Sequence, residues 1–180
     1  MRDDALFALL RQTLLAGLAR RGLGDVSVRQ NYQPVQQGRA SETSLYLHKV
    51  SDRRHGSPGV RARCDPVSGR IVREEIQVIE SVIQITALVN ERDPKNADAP
   101  TAADVARTTA AILQGEDALE ALHARGVQAL RIQGVRLTPV ENERDRFEFE
   151  ASFDVTLTHN EVFVTHDETI NRFGFDLHRV

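Results

Sequence analysis

The sequence has little of the chemistry that many classes of protein require. Its 180 residues include one cysteine, Cys64, no tryptophan and two tyrosines. A single thiol cannot form an intramolecular disulfide, which suits a reducing compartment. The shortage of aromatic rings argues against a surface that stacks on nucleic-acid bases. The formal net charge is −3, so no overall basic field attracts nucleic acid either.

The sequence also lacks the segments that direct a chain into or across a membrane. Asp3 and Asp4 stand where a signal peptide would be basic, and arginines at positions 11, 20 and 21 interrupt the apolar stretch behind them. We therefore expect no secretion signal and no transmembrane span. A chain of this length with 41% hydrophobic residues is expected to fold as one domain whose core needs neither a disulfide nor a metal.

Three segments have the spacing of amphipathic helices. In the first, Asp3 to Arg21, leucines recur at every fourth position. The second follows Thr101, which begins a relative of the capping box with Asp104 at the third position, and runs to about residue 114. A shorter third helix is predicted from Glu116 to Arg125.

The remaining regular segments have the composition of strands. They are predicted at about residues 26–32, 43–50, 71–89, 130–137, 147–159 and 170–177. From Phe147 to His159 apolar and polar residues alternate, as in a strand with one buried and one solvated face. Between Val78 and Ile79 the apolar phase changes, which predicts a bulge or a strand covered on both faces. The predicted fold is α+β: a mixed, largely antiparallel sheet with long strands, packed against the N-terminal helix and a central helix pair.

The longest predicted strands equal or exceed the width of the domain. A chain of this size has a diameter of roughly 40 Å, whereas residues 147–159 span about 43 Å and residues 71–89 about 60 Å. Such strands must bend or protrude, and soluble proteins normally cover protruding strand edges with a partner. We therefore predict one domain, residues 1–180, that acts by assembly. It includes an extended loop or hairpin at about residues 51–70, where the local charge is +3.

The residues that could carry catalysis form no recognised motif. The sequence contains no glycine-rich phosphate loop, no nucleophile elbow and no paired cysteines. Two alternatives for a small enzyme stay open: Cys64, whose thiol lies in an arginine-rich segment, and the group His159, His166 and Asp167, whose spacing matches no compact metal-ligand motif. We assign no catalytic, cofactor-binding or metal site and expect no cofactor.

Two polar segments suit an interface better than catalysis. The first is uncharged and rich in amides, and its candidate interface residues are Tyr32, Gln33, Gln36 and Gln37. The second is basic, and its candidates are Arg53, Arg54 and His55. Its arginines could form salt bridges to a neighbouring subunit, remain solvated, or contact nucleic-acid phosphates without regard to sequence.

Several segments, taken in order, resemble proteins from the necks of tailed bacteriophages. They are residues 6–18, 31–38, 46–49, 53–58, 101–104 and 146–159. The resemblance is to the phage neck and tail-terminator family of tail completion proteins. It covers nearly the whole chain, and the region after Asn160 matches least clearly.

The resemblance implies a structural protein and no enzyme. Related terminators form a ring, commonly of six copies, that stops tube polymerisation and joins the tail to the head connector. The implied partners are further copies of the chain, the tail tube protein and the head–tail connector or head completion protein. Genomic DNA would pass through the lumen without specific binding, and no membrane is involved. The expected location is the tail or neck of the virion, after assembly in the host cytoplasm. Another head–tail completion or tail-tube protein is the alternative.

Overall fold

A computed structural model of the protein describes residues 1–30, 43–89, 100–130, 132, 134–141 and 147–167. The helices are α1 (Asp3–Arg20), α2 (Ala102–Leu113) and α3 (Glu116–His123). The strands are β1 (Ser27–Gln30), β2 (Ser44–Cys64), β3 (Ile71–Leu88), β4 (Val127–Ala129), β5 (Arg136–Glu141) and β6 (Phe147–Asp167). The α+β class predicted from the sequence is confirmed.

The strands form one six-stranded sheet. Its order is β1-β2-β3-β6-β4, and β5 pairs with the first part of β6. β1 runs parallel to β2, whereas the pairs β2–β3, β3–β6, β4–β6 and β5–β6 are antiparallel. The sheet is therefore mixed and mostly antiparallel, as predicted.

Helix α1 buries the stripe of leucines that its sequence spacing predicts. The side chains of Leu6, Leu10, Leu14 and Leu18 are almost fully buried. The helix ends where Gly22 adopts a left-handed conformation (φ 75°), which glycine enters without steric cost. There the Leu23 amide donates to the carbonyl of Leu18, closing the chain back over the last turn.

The capping box predicted at the start of α2 is present. The Asp104 amide donates to the Thr101 hydroxyl at 3.2 Å, and the Thr101 amide donates to Oδ2 of Asp104 at 3.0 Å. Each side chain thus satisfies an amide that the helix itself leaves without a partner. None of the described helices is long and apolar enough to span a membrane.

The core lies between the helices and one face of the sheet. The largest buried side chains on that face are Leu45, Leu47, Ile83, Ile85, Phe153 and Leu157. We call this the inner face and the opposite one the outer face. Within β6 the buried residues alternate from Ala151 to His159, which confirms that part of the predicted alternation. Helices α1 and α2 approach closely at Gly17, where a Cβ atom would lie 2.2 Å from Cγ2 of Ile112.

Several predicted boundaries are wrong. The strand predicted at 130–137 is replaced by β4 before it and β5 at its end, and Leu130 is exposed. Strand β6 does not stop at residue 159 but continues to Asp167. The strand predicted at 170–177 lies outside the described residues.

Candidate assembly interface

Three strands extend beyond the part of the sheet that the helices cover. They are the ends of β2 (Arg53–Cys64), β3 (Ile71–Glu80) and β6 (Asn160–Asp167), and we call them the arm. The hydrophobic core cluster does not reach past Ile83 on β3 or Leu157 on β6. At ~3.3 Å per residue the β3 part of the arm is about 33 Å long. The expectation that long strands protrude is therefore met by this feature of the fold.

The segment predicted as an exposed loop or hairpin is a hairpin arm. Every residue of β2 from Val50 to Cys64 is exposed, yet the strand continues to pair with β3 up to the turn. The turn is fixed by Asp65, whose Oδ2 accepts from the Ser68 hydroxyl at 2.6 Å, and by Gly69 at φ 64°. Although its residues are exposed, this segment is therefore regular β-structure and not an irregular loop.

Gly56 and Pro58 lie in a bulge of β2 rather than in a break of the strand. Between the pairs His55–Val78 and Gly59–Ile76, three residues of β2 lie opposite Gln77 alone. The buried Gln77 amide group donates to the carbonyl of His55 at 2.7 Å and to that of Gly56 at 3.4 Å. Because bulged residues make no ladder hydrogen bonds, proline is tolerated there.

The outer face of the arm carries an apolar patch among polar residues, whereas the described residues on the outer face of the core region form no such patch. Ile76 lies directly opposite Val162, and Val78 and Val164 follow on the same face. The side chains of Val78, Val162 and Val164 are 42%, 48% and 51% exposed. The register of β3 against β6 is unbroken, so the change of apolar phase reflects a change of face. The predicted bulge lies in β2 and not in β3.

The two edges of the arm carry opposite charges. β2 contributes Arg53, Arg54, Arg61 and Arg63, whereas the arm part of β6 contributes Glu161 and Asp167. Within the described residues, only Arg63 of these arginines has a carboxylate within 4 Å, Glu74 at 3.8 Å. His55 lies 3.1 Å from Glu80. Most of the positive charge on the β2 edge is therefore not neutralised inside the described part of the chain.

A polar cluster joins the base of the arm to the start of α1. Lys49 Nζ lies 2.6 Å from Asp3 Oδ1 and 2.5 Å from Asp52 Oδ2. Burial alone would lower the pKa of Lys49, but hydrogen bonds to Asp3 and Asp52 outweigh it and raise that pKa. Burial would likewise raise the pKa of Asp52, and hydrogen bonds from Lys49 and Ser81 lower it instead. The amino group of Met1 also donates to the carbonyl of Asn160.

The buried pair Ser81 and His159 belongs to this cluster. The Ser81 hydroxyl donates to Asp52 Oδ1 at 2.6 Å, so the 3.2 Å contact with Nε2 of His159 makes the imidazole the donor. Burial lowers the pKa of His159, and the nearby amino terminus lowers it further. Ser81 is fully buried, and its hydroxyl donates a hydrogen bond to Asp52 and not to the imidazole of His159. The arrangement is therefore a structural network rather than an activated nucleophile.

The structure does not bring together the residues of the enzyme alternatives. His159 is buried on the inner face, whereas His166 is exposed near the tip of the arm on the outer face, about 23 Å further along β6. Cys64 is exposed at the tip of β2. No group of three or more potential metal ligands occurs among the residues that the structure describes.

Of the interface residues predicted from the sequence, three lie on the arm. Arg53, Arg54 and His55 are all exposed on β2. The other candidates, Tyr32, Gln33, Gln36 and Gln37, lie outside the described residues. Sequence reasoning missed the apolar outer face, because Val162 to Val164 was interpreted as an ordinary strand. The unbroken run of three apolar residues after an alternating strand was the available signal.

The comparisons with known proteins identify the class to which this arm and sheet belong. Residues 5–169 match the family model described as E217 gateway protein gp29. The match spans 165 of the 180 residues and therefore defines the family. The chain belongs to the family of the E217 gateway protein gp29. The predicted resemblance to phage neck and tail-terminator proteins is confirmed at that level.

Among solved structures, the chain is similar to the sheath/tube terminator of PVC, an extracellular contractile injection system, in its extended state. The identity is 11%, the TM-score is 0.41, and the match covers 96% of this chain. It covers 63% of the terminator, so the chain spans less than two thirds of that protein's length. No curated protein matches the sequence.

Proposed function

We propose that copies of the chain form a closed ring, six in number as in related terminators, which caps the tail tube and joins it to the head connector. The observation that supports this most strongly is the arm. It exposes Val78, Val162 and Val164 on one face, and an exposed apolar patch of this kind is normally covered by a partner. The partner proposed here is a second copy of the same chain.

A closed ring places a specific demand on its subunit. Each copy must present two different complementary patches, because a head-to-tail contact repeats by rotation until the ring closes. One axial face must also bind the last tube subunit and the other must not, or growth of the tube would continue. We propose that residues 1–180 act as one domain in this ring, with the arm as its extended hairpin.

Arg53, Arg54 and His55 are proposed to contact the neighbouring copy. They lie on an exposed strand whose arginines mostly lack a carboxylate partner within the described chain, and salt bridges across an interface would neutralise them. Tyr32, Gln33, Gln36 and Gln37 remain proposed interface residues on the strength of their amide-rich sequence. They lie in the segment that connects β1 to β2.

The proposed partners of the ring are the tail tube protein on one side and the head–tail connector or head completion protein on the other. Genomic DNA would pass through the lumen without specific binding. The net charge of −3 suits a channel along which DNA slides, because it supplies no overall attraction for phosphates. We propose that the ring assembles in the host cytoplasm, resides in the neck of the virion, and carries out no catalysis.

Deletion of the gene from its phage tests this proposal. Without a cap and a joint, we expect tails of unregulated length and heads without tails, and the wild-type gene supplied in trans should restore both. Tails of normal length attached to heads in the deleted phage would contradict the proposal. Incorporation of the chain into purified particles provides an independent check.

A second candidate is a joining protein that does not terminate the tube, and the family description, a gateway protein, favours it. Purified protein added to growing tail tubes separates the two functions. A terminator arrests elongation at a ratio of about one ring per tube end, whereas a joining protein leaves the tube length unchanged and a tube protein is incorporated along the tube.

A further inference from the structure

We infer that the β2 edge of the arm in one copy pairs by main-chain hydrogen bonds with the β6 edge of the arm in a second copy, in parallel orientation. This inference rests on the proposed ring and specifies its contact. It names which strand meets which, in which direction, and over which residues.

Both edges are open among the described residues. β1 pairs with β2 only at Ser44–Leu47, so no described strand lies beside the outer side of β2 in the arm. On the other side of the sheet, β4 pairs with β6 only up to His159. An open strand edge presents amide and carbonyl groups that can extend a sheet onto another chain.

The regular parts of the two edges lie at the same height along the arm. The bulge at Gly56–Pro58 interrupts the β2 edge and leaves Gly59–Cys64 as its regular stretch. Gly59 and Val162 both lie opposite Ile76 of β3. Cys64 and Asp167 both lie opposite Ile71. The distal arm therefore offers two flat edges of equal length, one on each side.

Charge selects the pairing between unlike edges. The stretch Gly59–Cys64 carries Arg61 and Arg63 and no acid, whereas Val162–Asp167 ends in Asp167 and follows Glu161. Two β2 edges would bring arginines together, and two β6 edges would bring carboxylates together. The unlike combination avoids both clashes, because it places the arginines on the outer face and the carboxylates on the inner face of the extended sheet. A contact between two different edges is also the head-to-tail type that closes into a ring.

The direction of the pairing follows from the topology. β2 and β6 are both antiparallel to β3, so they run in the same direction, towards the tip of the arm. Rotation about an axis along the arms keeps that direction, and the new pair is therefore parallel. Six arms of three strands would form a barrel of about 18 strands, a size at which barrels enclose an open channel instead of a packed interior.

The single cysteine allows a sharp test. Within one arm β3 separates Cys64 from Asp167, so their Cα atoms are about 10 Å apart, too far for a disulfide. In the inferred pairing, Cys64 of one copy instead lies beside β6 of the next. We propose to introduce Glu161→Cys, Thr165→Cys or Asp167→Cys separately, purify tail particles that contain each variant, and oxidise them with copper phenanthroline.

The expected result is a ladder of covalently linked copies on a non-reducing gel for at least one of the three variants. Adding Cys64→Ser to the same variant should abolish the ladder. Asp117→Cys, at an exposed position of helix α3 beside Arg20 of α1, should give no ladder with Cys64 and serves as the matched control. Particles that contain the protein but give no ladder at any position would overturn the edge pairing. Absence of the protein from wild-type particles would overturn the proposed function instead.

Discussion

Ile76 of β3 lies directly opposite Val162 of β6, on the face of the sheet opposite the helices. The same two strands bury Ile85 against Phe153 on the other face, closer to the helices. One pair of strands thus has its apolar side facing the core at one end and facing away from it at the other. This relationship joins a conventional core to a surface that requires a partner.

Phe153→Ala should lower the free energy of unfolding by ~3–5 kcal/mol, because it empties a fully buried site on the inner face. The matched control is Phe163→Ala, the same substitution in the same strand, where the side chain is 50% exposed. The control should change the unfolding free energy by less than about 1 kcal/mol. Urea denaturation measures both. Equal losses at the two positions would show that the assignment of faces is wrong.

Gly17→Ala should destabilise the protein by about 1–3 kcal/mol, although alanine is the better helix former. Its Cβ would lie 2.2 Å from Cγ2 of Ile112, so α1 and α2 would have to separate. Ile112→Ala removes the obstructing atoms, and the double variant should therefore be more stable than the two single losses predict. Gly24→Ala, where the nearest atom lies 4.0 Å away, is the control. Strict additivity of the two losses would contradict the contact.

Stability should fall as the pH is lowered from about 7 towards 5, because the pKa of His159 is depressed below its usual value near 6.5. In this window the unfolded chain binds a proton that the folded chain resists, so acidification favours unfolding. His159→Gln should flatten this part of the pH profile, whereas exposed His166→Gln should leave it unchanged. The urea concentration at the unfolding midpoint, measured at several pH values for each variant, tests this prediction. If His159→Gln leaves the dependence of stability on pH unchanged, the explanation is wrong.

Asp104 should titrate with a pKa of about 2, since it accepts hydrogen bonds first from the Thr101 side chain, then from the Thr101 amide and from Arg107. Thr101→Ala removes the first of these bonds and should move the pKa back towards 3.8. The carboxyl chemical shift in a pH titration by NMR measures both values. Indistinguishable pKa values in the two proteins would mean that the capping box is not formed in solution.

Local patterns were enough to predict the elements that the core stabilises. Two of these patterns report a face that is buried within the same chain: the leucine spacing from Leu6 to Leu18 and the alternation from Ala151 to His159. The capping box at Thr101 reports the start of a helix through local hydrogen bonds. The α+β class followed from the order of these segments. The family resemblance was predicted from short matching stretches distributed along nearly the whole sequence.

The arm could be predicted only in part, because the contacts that stabilise it join residues far apart in the sequence. Gly56 and Pro58 are typical of loops, and only the pairing of β2 with β3 shows that they form a bulge in a continuous strand. The side chain of Gln77 stabilises that bulge by donating to the carbonyl of His55. The phase change at Val78 indicated a second covered face but not which strand carried the bulge. The cluster of Asp3, Lys49 and Ser81 joins segments far apart in sequence, and no spacing rule connects them.

The central claim, that the arm mediates assembly, is tested most directly by electron microscopy of phage whose gene carries Val162→Asp. This change places a charge on the exposed apolar face beside Ile76, and the free energy of unfolding should be nearly unchanged. The matched control, Ala111→Asp, adds the same charge on the exposed side of α2. We predict tails of unregulated length and few joined heads for Val162→Asp, with normal particles for the control. Normal particles from a folded Val162→Asp protein would contradict the account.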